Sequence, residues 1–161
     1  MNNKSNKIHR HTDEKIHQVK DGIEIVIMCI NDGLWPDMPD SVVCMIADEN
    51  DTLPDVLPAN LKILLAPKAK SIPALPDGLQ VLHAHSAIHF DSDLPESLNV
   101  LVANAVESLP HLPDSMEVLH ADSCKSLPNH PSHLRLVYPE NLMEAKETPG
   151  DEESETSPSF N

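Results

Sequence analysis

A proline returns every eighteen or nineteen residues through most of this chain, and few folds tolerate that. Pro39, Pro58, Pro76, Pro95, Pro113 and Pro131 are spaced 19, 18, 19, 18 and 18 residues apart. The residues around them recur as well: LPANLKILLAPKAKSIP, LPDGLQVLHAHSAIH, LPESLNVLVANAVESLP and LPDSMEVLHADSCKSLP share P-x-x-L-x-x-L-x-A-x-x-[small]-x-S-L-P. A short fixed period is the signature of a solenoid. The segment IEIVIMCINDGLWPDMP fits upstream, with Ile25 falling 19 residues before Cys44, which gives seven units over residues 21–142.

One unit is too short for a strand, two turns and a full helix. Its prolines also oppose a helix, because each fixes φ and lacks an N–H. The L-x-x-L-x-A segment alternates with period two, as a short strand does. The return is then extended, polyproline-like or a single turn. A lone unit exposes its leucines; stacking units buries them and pairs the strands in parallel. The expected fold is a repeat solenoid of about seven short parallel strands with polyproline-like return segments.

Composition removes other classes. Eleven Lys+Arg against 26 Asp+Glu give a net charge of −15, and aromatics are 2% of the 161 residues. Nucleic-acid binding needs a basic surface and usually aromatics for base stacking, so no nucleic acid is expected. No apolar run approaches a bilayer span, and the polar start does not read as a signal peptide; no membrane is expected. Three cysteines, Cys29, Cys44 and Cys124, make no disulfide framework and suit a reducing compartment. Residues 1–20 carry a net +3 and read as mobile, with a short helix over 13–20. Residues 143–161, acidic and Ser/Thr-rich, read as a disordered tail.

The motif resembles the short, LPX-type leucine-rich repeat of bacterial proteins, found in type III secreted effectors and in the invasion-plasmid-antigen ubiquitin ligases. Leu109-Pro110-His111-Leu112-Pro113 and Ile72-Pro73-Ala74-Leu75-Pro76 carry the paired LP-x-LP signature, and the resemblance spans about 120 residues. It implies a leucine-rich repeat fold, and a virulence effector exported without a signal peptide into host cytoplasm as a scaffold or decoy. The alternatives are a substrate adaptor for a ligase on another chain and an orphan repeat protein of the producer's cytosol. The chain departs from the family at the ladder asparagine: Asn31 and Asn50 keep it, whereas Ala69, Ala87, Val106 and Cys124 replace it. The ligase members use a cysteine with an acid two residues on, in a separate domain. No cysteine here has that neighbour, and the residues after the last repeat are too few for such a domain, so no enzyme is expected.

The strand register places outward residues in three rows. The first is Ile25, Cys44, Ile63, Val81, Val100, Val118 and Leu136. The second is Ile27, Ile46, Leu65, His83, Val102, His120 and Tyr138. The third is Cys29, Asp48, Pro67, His85, Asn104, Asp122 and Glu140. Two apolar rows on a wet, concave face make a candidate protein-binding stripe. The expected partner-binding residues are Ile63, Leu65, Val81, His83, His85, Val100, Val102, Asn104, Val118, His120, Asp122 and Tyr138. The competing reading is that a flank, the tail or self-association covers the stripe, or that β-propensity alone selected Val and Ile.

Histidines receive ordinary readings. His83 and His120 are two strands apart, about 9–10 Å, too far to share one zinc ion, so no metal and no cofactor are expected. His89, His111, His130 and His133 fall in return segments. Cys124 reads as a small buried hydrophobe. Thr148-Pro149 and Ser157-Pro158 in the tail are possible phosphorylation sites, while the acceptor patterns at Asn3 and Asn50 read as chance matches. Trp35 is expected to plug one end of the solenoid and Tyr138-Pro139 to finish the other. Exposed terminal strands leave a homodimer through an end open.

Overall fold

The computed structural model describes residues 7–12, 18–29, 34–125, 127, 130–132, 134 and 136–138. Among them there is no helix. The chain is a β-solenoid built on an eight-stranded parallel sheet, with neighbours in the order β1 (Ile8–His11), β2 (Ile25–Met28), β3 (Cys44–Ile46), β4 (Ile63–Leu65), β6 (Val81–His83), β8 (Val100–Val102), β9 (Val118–His120) and β10 (Leu136–Tyr138). Two-residue strands β5 (Ser71–Ile72) and β7 (His89–Phe90) pair in parallel to make a second small sheet from the return segments.

The repeat prolines shape each coil. At each of the six repeat prolines the carbonyl accepts from the N–H three residues on: Pro39 from Val42, Pro58 from Leu61, Pro76 from Leu79, Pro95 from Leu98, Pro113 from Met116 and Pro131 from Leu134, at 3.0–3.2 Å. Proline suits this place because the bond uses only its C=O. A second turn follows the strand, with the N–H of Asn50, Ala69, Ala87 and Cys124 bonded to Ala47, Ala66, Ala84 and Ala121. Two turns per coil are what let eighteen residues close.

The core is a set of columns. Val26, Met45, Leu64, Leu82, Leu101 and Leu119 are fully buried on successive strands, and Ala47, Ala66, Ala84, Ala103 and Ala121 form the next column. Val42, Leu61, Leu79, Leu98 and Met116 enter from the preceding turn. Ile72, Leu94, Leu109, Leu112 and Leu127 close the back. The expected register holds throughout: Ile25 pairs with Cys44, Cys44 with Ile63, Ile63 with Val81, Val81 with Val100, Val100 with Val118 and Val118 with Leu136.

The structure differs from the sequence reading at the amino-terminal end. Residues 1–20 were expected to lie outside the repeats, yet Ile8–His11 pairs in parallel with Ile25–Met28 as an eighth strand. Its motif is hidden because His9 takes the column held elsewhere by leucine or its equivalents. Of the helix expected over 13–20, residues 13–17 lie outside the described residues, while Gln18 bridges Asp37 and Val19 is buried. Trp35 is not an end plug: it packs half-buried against the core in the return between β2 and β3. The Tyr138-Pro139 side chains, Asn31, His133, Glu140 and the tail 143–161 fall outside the description.

Adjacent coils are fastened at the turn before the strand. Ser41 Oγ donates to Ile23 O at 2.6 Å, Ser115 Oγ to Leu98 O at 2.7 Å, and Asn60 Nδ2 to Asp40 O at 2.9 Å. Ser97 Oγ lies within 2.5 and 2.6 Å of the Leu79 and Asp77 carbonyls. These residues share the place two after the repeat proline, where Gly78 supplies no side chain. One recurrent polar linkage between coils thus sits two residues after the proline.

Candidate functional site

The outward face of the main sheet brings the predicted rows together. In the first row Val81, Val100 and Val118 are half-buried and Ile63 is exposed; in the second, Leu65, His83, Val102 and His120 are half-buried. The flanking strands screen these side chains from the sides, so the stripe offers tips and edges of apolar groups. The rows extend one strand beyond the expected start, because Ile8 stands beside Ile25 and Arg10 beside Ile27. Ile8 and Arg10 are both exposed. Tyr138 is level with His120 across the β9–β10 pair.

The third row is polar and partly interlocked. His85 and Asp122 are exposed, but Asn104 is only 8% exposed, more enclosed than an outward row position implies. The cause is its neighbour: Asn104 Nδ2 donates to Asp122 Oδ2 at 2.6 Å, while Asp122 Oδ1 lies 2.8 Å from His120 Nε2. One carboxylate thereby ties β9 to the turn after β8. Of the expected contact residues, Asn104 serves this network more than the surface. His83 and His85 pack edge to face with ring centroids 6.3 Å apart.

The other border of the stripe comes from the residue before each strand. Glu24, Val43, Lys62, Gln80, Asn99 and Glu117 hold this place before the main-sheet strands β2 to β9, polar at all but Val43, and Lys62, Gln80 and Glu117 are exposed. This border lies outside the three expected rows, although the same period reaches one place further back than the strand's first residue. Glu24 pairs with Lys7 across β1 and β2. Away from the stripe, Lys68–Glu49 at 2.5 Å and Lys125–Glu107 at 2.7 Å join successive coils. The Lys125 hydrogen bond, then its charge, holds the Glu107 carboxyl below its usual range.

Cysteine reactivity follows placement. Cys29 is exposed, Cys44 is half-buried in the first row and Cys124 is buried. Burial pushes the Cys44 thiol up, which disfavours the nucleophilic thiolate. No cluster of three His, Cys, Asp or Glu side chains suited to a metal occurs among the described residues. The return side carries shallow clefts, one of about 390 Å³ lined by Asp51, Leu53, Asp55, Lys70 and Asp91 and another of about 340 Å³ beside Trp35, Val56 and Pro58. Neither joins the stripe. No family model, no curated protein and no solved structure matches this chain.

Proposed function

We propose that this protein is a non-enzymatic interaction module that binds a protein partner on the outward face of its main sheet. The observation that carries the reading is the row Ile25, Cys44, Ile63, Val81, Val100 and Val118, which six neighbouring strands hold in register beside Ile27, Ile46, Leu65 and Val102, with His83 and His120 completing the second row. Ordered apolar surface on a rigid, repeated scaffold is what repeat proteins present to partners. The polar borders fix orientation and keep the free protein in solution.

The test is capture by paired variants. Val81→Asp and Val100→Asp abolish capture of the proteins that wild type retains, while Ile88→Asp on the return side leaves it intact, with circular dichroism unchanged in all three. Equal capture by every variant would overturn the reading. Cys44 gives a second readout, because a bound partner slows its alkylation relative to Cys29.

The effector reading rests on the repeat's likeness to the LPX-type repeats. Export of a reporter fused to residues 1–20 through a type III apparatus tests it, and retention of that reporter removes it.

A further inference from the structure

We propose that the partner segment seated on this stripe is a cationic amphipathic helix lying across the strands; this rests on the sheet face being the binding surface.

The dimensions favour a helix. The first apolar row crosses six strands, β2, β3, β4, β6, β8 and β9. Five inter-strand spacings of about 4.8 Å make about 24 Å, the length of roughly 16 helical residues. The two rows lie two residues apart along each strand, about 7 Å, a width that one helix covers with the apolar side chains of successive turns. An extended segment laid over the same apolar rows leaves its own N–H and C=O groups without partners, since the sheet face presents side chains there. A helix satisfies its backbone internally.

Charge sets the sign. The chain carries a net −15, which attracts a basic ligand at long range. Acids border the stripe near both ends. Asp48 is exposed beside β3, and Glu24 before β2 is paired with Lys7. At the β9 end Glu117 and Asp122 are exposed on opposite sides of Val118 and His120. A bound helix places lysines or arginines over β9, where these two carboxylates flank the stripe. His83 and His120 face the helix from within the second row.

Three synthetic peptides test this by fluorescence anisotropy: an 18-residue Lys/Leu helix with a single leucine stripe, the same stripe with Glu for Lys, and the Lys/Leu composition shuffled to remove the stripe. The striped Lys peptide binds at least tenfold tighter than the other two. Val100→Lys and Glu117→Lys each weaken it tenfold or more, and raising the salt weakens it further. Equal binding of the striped and shuffled Lys peptides, or indifference to Val100→Lys, overturns the proposal as bulk charge attraction. Equal binding of the Glu peptide overturns the cationic choice. No peptide binding, with face-dependent capture still lost in Val81→Asp and Val100→Asp, overturns the helix and leaves the interaction surface standing. Loss of both removes the two together.

Discussion

The strand side and the return side of each coil lie a few residues apart in the chain, yet they hold together differently. On the strand side every described coil repeats the same pairs, and from β3 to β9 the inward columns, Met45 to Leu119 and Ala47 to Ala121, are fully buried. Among the described residues of the return side only β5 and β7 pair as strands, and Val56 and Ile88 stand 84% and 64% exposed. The strand side is fixed by regular hydrogen bonds and columns of like side chains. The return side needs only to bring the next turn back at the right height. Several backbones do that, which is why its sequence drifts while L-x-x-L-x-A does not.

Substitutions can break or sharpen this contrast. Leu101→Ala empties the strand column between two neighbours and costs about 2–5 kcal/mol, read from denaturant midpoints. A loss below about 1 kcal/mol would mean that the stack relaxes around the gap. Ala84→Leu tests the adjoining column, fully buried between the strand and the turn that follows it. Overpacking there costs about 1–3 kcal/mol. Ser97→Ala removes the hydroxyl shared by the Asp77 and Leu79 carbonyls, for a loss of about 0.5–1.5 kcal/mol. Ile88→Asp on the return side stays within about 0.5 kcal/mol of wild type.

Lys125→Met is the smallest change and separates charge from packing. It leaves the melting temperature unmoved and returns the Glu107 carboxyl towards its ordinary range in an NMR titration. The sign is fixed by direction. A lowered folded-state value means any stabilisation is present above the ordinary glutamate range and disappears as pH falls through the lowered value. Both side chains are more than 70% exposed, so solvent screens the pair.

Much of this architecture was legible in the sequence because the period is carried by leucines and prolines, whose roles leave little choice. Six strands and their register follow from Pro39 to Pro131 and from the residues three to seven places beyond each, and a seventh from Ile25 falling 19 residues before Cys44. The eighth strand was not legible. Ile-His-Arg-His has no proline ahead of it at the repeat distance, and His9 occupies the column that names the motif elsewhere. The serine linkage was equally hidden. Ser41, Ser97 and Ser115 look like ordinary turn residues until the next coil's carbonyls are placed beside them. On the binding face the apolar rows could be read, but the enclosure of Asn104 could not, since it depends on Asp122 one coil away.

The serine linkage has a directional consequence. Ser41, Ser97 and Ser115 all reach backwards, each hanging its coil on carbonyls that the preceding coil already presents. Where the serine is present, a coil offers its successor the same kind of acceptor that it uses itself, while the coil at Gly78 is held without this bond. A duplicated unit that carried the serine would find its acceptor already in place, so such a molecule can grow longer with few new polar contacts to invent.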